Sequence, residues 1–508
     1  MVDSKGHIEP AAASRVCLTI ALLIASAVCA IAISGQSLWI DESYTACKAQ
    51  QTTLPNWWQE MRHAGGSDLQ MPLYMFWIWI CGQFFGASEM ALRAVNLFWI
   101  LPGLLALCIG LVRQPRLQLA VFLVAVCNPF TWYYLNEARP YAMQIGAGLF
   151  LAAALCRWSE RTMDSAPGES LWVWVFAAAL VALSGASMLG MIWAVAAMVA
   201  AIYLIPREQV LKSVRDHIFA WLAAMVLLAA LGFYYLWTLK AGARASDIAT
   251  TDWRNAAFIV YELFGFAGLG PGRSEIRDGG LQVFRPYAPE LGLFAMLVLV
   301  LNFYAFREAW ENYPRKKLLG LTAILAVPAG FILVAGFVMH FRVLGRHFAP
   351  LLPAVIFWLG LGASAAWQRN GIGRFLVAGY FAMCLTSGLA LRFANRHAKD
   401  DYRSAAAMAR TALADRQTIW WSADPNTAAY YHLSLATNFS QAGRAFALVN
   451  PSAGDLAAAG APRIIFISRS DIYDPHGVLA DYLARNDFEK TVVMPAFRVW
   501  EKTGHPVK

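Results

Sequence analysis

Charge is what this chain has least of. Of its 508 residues only 14% are Asp, Glu, Lys or Arg, where a soluble domain carries about a quarter. That deficit excludes an ordinary soluble protein. The eight cysteines include no CxxC pair and no His-rich neighbourhood, so neither a disulfide framework nor a zinc site is indicated. The Gly-rich stretch GLGPGRSE (268–275) has no strand before it and no GK[ST] after it, so it is no phosphate-binding loop. Internal repeats and low-complexity tracts are absent as well.

What the chain has instead is apolar residues, 59% of the total, gathered into runs of about 17 to 23 that match the hydrocarbon thickness of a bilayer. Tryptophan is abundant, with 20 residues, and clusters near the ends of these runs, as interfacial rings do. The pattern predicts a polytopic α-helical membrane protein. The formal net charge of +9 invites a nucleic-acid partner, but the excess sits in short loops between spans, where the positive-inside rule accounts for it.

After the polar leader Met1–Ser14, which carries Lys5, Arg15–Ser34 reads as a first span, an uncleaved anchor rather than a signal peptide. The apolar run Pro72–Gly86 is too short to cross comfortably. Laid in the interface, it leaves Arg113/Arg116, Arg157/Arg161, Arg207/Lys212/Arg215, Arg307/Arg315/Lys316/Lys317 and Arg369/Arg374 all facing the cytoplasm. Residues 35–89 then form one external loop with surface helices near Asp41–Gln51 and Gln70–Phe85. Further spans follow near 90–112, 117–135, 140–157, 171–185, 187–205, 217–238, 290–306, 318–340, 349–367 and 374–392. The total is about eleven spans, with an external C-terminus.

The span midplanes hold essentially no ionisable residue, which argues against a proton pump or ion-coupled transporter. Residues 1–392 thus make a transmembrane domain. Its second long external loop, 240–289, reads as a lid over a site or as a plain connector. From 393 to 508 the composition is that of a small soluble α/β domain. DDYRSAAAMARTALA and Gly477–Arg485 are helical in period, and TIWWSA, RAFALV, RIIFIS, KTVVMP and FRVWEK read as strands. DIYDPH (471–476) reads as a turn in preference to a cation site.

Candidate functional residues all fall at one depth, the external ends of the spans. Asp41 and Glu42 follow the first span in SLWIDESYTACKA. Alone they are equally suited to capping a helix. Glu137 and Arg139 lie in NEARPYA, Arg93 in SEMALR, and Arg342, Arg346 and His347 in HFRVLGRHFAP. A single Arg here reads as a snorkelling anchor or a contact to anionic lipid. Several together, with acids between them, fit a site that grips a phosphate and activates a nucleophile, since a guanidinium donates two hydrogen bonds at once. Displacing a phosphate from an anomeric carbon needs one base, and the leaving group is already a stable anion. Asp41 and Glu42 are also of a type that holds a divalent cation, without a full ligand set.

The order WIDESY, MPLYMFWIW, GASEMALRAVN, NPFTWYYLNEARPYA, RVLGRHFAPLLP resembles the GT-C membrane glycosyltransferases of the protein O-mannosyltransferase-like group, which includes lipid A aminoarabinose transferase and galacturonosyltransferase relatives. The resemblance covers most of the chain and is strongest over 37–155. It implies an acidic catalytic residue in the first external loop, Asp41 with Glu42 beside it, and a polyprenyl-phosphate sugar donor. Glu137 and Arg139 match the family's QEAR-type loop, and Arg346 the Arg of its RYLLPLLP pattern, with His347 in place of a tyrosine. The family's HPPLY is here QMPLY, with Tyr74 at its end and Gln70 and Met71 replacing His and Pro. The implied activity is inverting transfer of a sugar to a glycan, lipid or protein hydroxyl. The implied location is the plasma (inner) membrane, with active site and C-terminal domain facing the periplasm or exterior. A flippase for lipid-linked sugars and a lipid-binding scaffold are the alternatives.

Overall fold

A computed structural model describes residues 10–64, 66–111, 114–159, 169–243, 251–437 and 443–503. Lys5, Arg113, Arg161 and positions 244–250 of the second long loop, all used in the topology above, lie outside them. The chain divides into two compact units. The first is built from residues up to Ser34, Met61–Cys81 and Leu92–His397, the second from Gly35–Glu60, Gly82–Ala91 and Ala398–Lys508.

The first unit is helical. Among the described residues six helical stretches are long and apolar enough to cross a membrane, or up to eight if two bent pairs each count as one span. The shorter apolar helices Leu22–Ala32, Pro72–Phe85 and Leu171–Ala186 fall below that length. The 14 residues of Pro72–Phe85 extend about 21 Å at 1.5 Å per residue, short of a ~30 Å hydrocarbon core. Helices pack through small residues, as they do in lipid. Leu97–Gly110 lies along Tyr141–Ser159, and a Cβ on Gly146 would sit 2.5 Å from the Trp99 carbonyl oxygen.

A single bend sets the position of the NEAR sequence. Pro115–Cys127 and Pro129–Leu135 meet at 52°, because Pro129 cannot donate a helical hydrogen bond. Asn128 restarts the helix, its side chain accepting from the Phe130 N–H at 2.8 Å. The bent segment delivers Tyr133, Tyr134 and the four residues of NEAR to the end of the span.

The described part of the second long loop is helical and packed. Thr251 Oγ1 donates to the Phe341 carbonyl at 2.5 Å and accepts from the Val343 N–H at 2.9 Å. From there the helix Trp253–Leu263 is capped by Asp252. The glycines of GLGPG serve close packing. Side chains at Gly268 and Gly272 would collide with the carbonyl oxygens of Ser387 and Arg396. The Arg396 side chain returns hydrogen bonds of 3.0 Å to the carbonyls of Gly268 and Gly270. Burial and the neighbouring Arg396 hold His397 down at about 4, so it sits neutral against the Gly268 carbonyl.

In the second unit, strands β1 (Ile419–Ser422), β2 (Ala445–Ala447), β3 (Ile464–Ser468), β4 (Phe488–Met494) and β5 (Phe497–Lys502) form one sheet in the order β2-β1-β3-β5-β4. The first three are parallel, and β5 runs antiparallel to β3 and to β4. All five were legible as strands in the sequence. Successive side chains alternate between the faces, so Trp421 packs with Tyr402, Phe466 and Phe497, and Trp420 packs with Ile465, Leu479 and Phe488. In DIYDPH, Asp474 accepts from the N–H groups of Leu479 and Ala480, both at 3.0 Å, and so caps the helix Val478–Arg485.

Gly272→Ala is expected to destabilise the first unit by about 1–3 kcal/mol, the usual result of forcing an extra carbon into a packed contact. Thermal melting and limited proteolysis of 266–287 check it. Unchanged melting and cleavage would show that the backbone approach is dispensable.

Candidate functional site

The first unit collects most of the sequence-derived candidates around the NEAR turn. Asn96 holds that turn in place, its amide donating to the carbonyls of Tyr134, Leu135 and Glu137 at 3.2, 3.0 and 2.8 Å. Asn136 Oδ1 accepts from the Ser34 N–H and hydroxyl at 2.8 and 2.9 Å. Arg93, fully buried, donates to the Ser34 carbonyl at 2.8 Å. Arg93 therefore secures the chain just past the first helix, where a cation also suits the helix dipole.

Glu137 and Arg139 are both buried. Arg139 pairs with the buried Asp68 at 2.8 Å and touches Met71 sulfur at 3.4 Å, at the QMPLY corner where this sequence departs from the family pattern. Tyr74 is fully buried on the helix that follows. A row of rings runs beside the turn. Tyr133 and Tyr134 have centroids 5.0 Å apart, and Tyr134 and Tyr141 4.9 Å. At one end of the row the Arg273 guanidinium lies 4.4 Å over Tyr133, and at the other Arg346 lies 5.8 Å over Tyr141. Arg273 forms a 2.7 Å ion pair with buried Glu262 and lies within the field of Glu137. Glu262 is wedged against Gly345, which has no room for a side chain. His347 turns inward, its Nδ1 accepting from the Leu344 N–H at 3.2 Å and its carbonyl from Trp193 Nε1 at 3.1 Å. Arg342 is exposed.

Asp41 and Glu42 belong to the second unit, on the helix Ile40–Ala49. Their surroundings differ. Glu42 is fully buried, pairs with Lys399 at 2.9 Å and accepts from the Trp39 N–H at 3.4 Å, which closes the helix start. Asp41 stays partly exposed in the same turn. Glu42 is committed to Lys399. Among the described residues no group of three or more His, Cys, Asp or Glu is placed to hold a metal. Burial pushes the Cys47 thiol up to about 11, which removes it as a nucleophile.

Sequence reasoning missed Asp68, Glu262, Arg273 and Lys399. Glu262 carried a signal, being the sole charge in the apolar piece Ala256–Phe266. Asp68 and Lys399 carried none, because each is defined by a partner distant in sequence, and Arg273 is placed by distant Tyr133 as well as by Glu262.

No family model matches the chain, and no curated protein matches it. Solved structures do. ArnT from Cupriavidus metallidurans in the apo state superposes with a TM-score of 0.54 at 14% identity, covering 95% of this chain and 97% of that one. The same protein bound to undecaprenyl phosphate gives a TM-score of 0.48 at 13% identity with the same coverage. The oligosaccharyltransferase AglB from Archaeoglobus fulgidus, in complex with an inhibitory peptide and a dolichol-phosphate, gives 0.38 at 12%, over 83% of this chain and 60% of that one. The first likeness gives the chain the GT-C fold anticipated from its sequence.

Asp68→Ala is expected to cost about 3–5 kcal/mol by removing the Asp68 carboxylate from beside the buried Arg139. Melting of the purified chain reads this out. A loss below about 1 kcal/mol would place the pair among weak surface contacts.

Proposed function

We propose that the chain is a polyprenyl-phosphate-dependent glycosyltransferase that moves one sugar to an acceptor hydroxyl on the external face of the membrane, with inversion. The six to eight helices long and apolar enough to cross among the described residues suit a membrane-embedded enzyme. The observation that carries the reading is the buried charge cluster at the end of the spans, with a guanidinium at each end of the tyrosine row. Intramembrane charge is costly and marks function, and guanidinium pairs suit a phosphate. The shared fold with ArnT is consistent with this chemistry.

The reaction needs few parts. A carboxylate takes the proton from the acceptor hydroxyl, and that oxygen bonds to the anomeric carbon as the bond from the carbon to the phosphate oxygen breaks. The departing lipid phosphate keeps the electron pair, and cationic groups stabilise its charge. We assign the base to Asp41, since Glu42 is tied into an ion pair. Arg346 and Arg273 hold the phosphate. Arg139, Glu137 and Asp68 set the shape of the turn between them. The acceptor is a glycan, lipid or protein hydroxyl.

A radiolabelled polyprenyl-phosphate sugar in proteoliposomes tests the reading. Transfer to an acceptor supports it, whereas movement of the donor across the bilayer without transfer would identify a flippase. Asp41→Ala is expected to lower kcat by about 10²- to 10⁴-fold, the usual loss of a general base, in protein that remains folded. Near-native turnover would remove Asp41 from the mechanism. Arg346→Ala is expected to raise the donor KM by about tenfold or more, equivalent to one charge-assisted hydrogen bond. Unaltered donor affinity would rule out its phosphate contact.

A further inference from the structure

In the second unit the parallel strands run in the order β2-β1-β3, so the chain leaves β1 to one side and then returns to the other. Sheets wound this way hold ligands beyond the carboxyl ends of the strands, at the point where the order reverses. Here that point lies between β1 and β3. The residues leaving those strand ends engage a segment of the same chain. Asp424, just past β1, accepts from the Tyr44 hydroxyl at 3.2 Å. Thr427, in the turn of helix that Asp424 caps, shares a 2.6 Å hydrogen bond with Ser43. Arg469, immediately after β3, places its guanidinium 5.7 Å over the Trp39 ring and is ion-paired with Asp400. Its backbone is left-handed, with φ at 41°, a strained state that persists where surroundings enforce it.

Two more contacts complete the grip. The Tyr431 hydroxyl, kept protonated by burial, accepts from the Leu38 N–H at 2.7 Å and from Ser37 at 3.2 Å. Lys399 holds Glu42. The α/β unit thus contacts Ser37, Leu38, Trp39, Glu42, Ser43 and Tyr44, which bracket Asp41 on both sides. We infer that the ligand edge of this sheet is a clamp that positions Asp41, with Lys399 and Arg469 as its positioning residues. The inference rests on the assignment of Asp41 as base, and its test separates the two.

The full-length chain is reconstituted as wild type, Lys399→Met, Lys399→Arg and Ile465→Val, the last trimming the core on the opposite face of the sheet. Two readouts are taken: transfer kinetics from a radiolabelled polyprenyl-phosphate sugar, and amide hydrogen exchange over Ile40–Ala49. Lys399→Met is expected to speed exchange in that segment. It should also lower kcat by about 10²-fold, the scale for a catalytic group displaced by an ångström, with the donor KM unchanged. Lys399→Arg should restore both. Ile465→Val should lower the melting temperature and move neither. Should Lys399→Met not fold, Glu42→Gln/Lys399→Met removes the stranded charge as well and carries the same expectation. Wild-type exchange and kcat in the Lys399 variant would overturn the clamp, as would an equal kcat loss in Ile465→Val. If the wild-type chain transfers no sugar while the segment still loosens in Lys399→Met, the transferase reading fails and the anchoring stands.

Discussion

A charge taken out of water has to be met by its opposite, and in this chain that requirement organises the candidate residues. Moving an ion inside costs several kcal/mol even after relaxation. Glu42 meets Lys399, Arg139 meets Asp68, and Glu262 meets Arg273. Every pair joins separate segments of the chain, so each ion pair is also a tether. The first fixes the start of the helix Ile40–Ala49 inside the α/β unit. The second fastens the NEAR turn to the stretch before Pro72, and the third holds the loop helix Trp253–Leu263 to the start of the next.

The division of work between Asp41 and Glu42 follows from helix geometry. Neighbours on a helix point about 100° apart, so two adjacent acids cannot share one environment. One faces inward, and its cost is met by Lys399 and the Trp39 N–H. The other is left at the boundary with solvent. The adjacency was visible in the sequence, and so was the helix. Which acid turned inward was not, because the answer depends on a lysine that arrives at the far end of the chain.

Legibility followed the range of the interactions. The five strands and the helices Tyr402–Ala414 and Val478–Arg485 were readable because their signals are local: alternation in the strands, and a 3.6-residue period or a cap in the helices. The place of Glu137 and Arg139 in the turn after a helix was readable because hydropathy marks where apolar runs end. The second long loop was not. In sequence it reads as a lid or a connector, but Gly268 and Gly272 are there because the backbone of 387–396 comes too close for any side chain. Composition cannot distinguish a glycine that permits motion from one that permits contact, since the difference lies in the partner. His347 is a similar case. The sequence does not show that its ring nitrogen accepts from the Leu344 N–H and closes a turn of its own segment.

The tyrosine row explains why its two ends are arginine. A guanidinium is planar, and its N–H donors lie in that plane. Resting on the face of a tyrosine ring, it gains a cation–π attraction of about 0.5–2 kcal/mol while its donors still point outward along the edge. The ring therefore immobilises the cation without itself occupying those donors. A lysine ammonium has no such separation, because the same three hydrogens would serve both partners. Tyr133 and Tyr141, linked through Tyr134, hold Arg273 and Arg346 in this manner, and the buried Glu262 fixes Arg273 further. Two cations held over rings at the ends of one aromatic row would lose little conformational freedom on meeting an anion, which is what the proposed phosphate role asks of them.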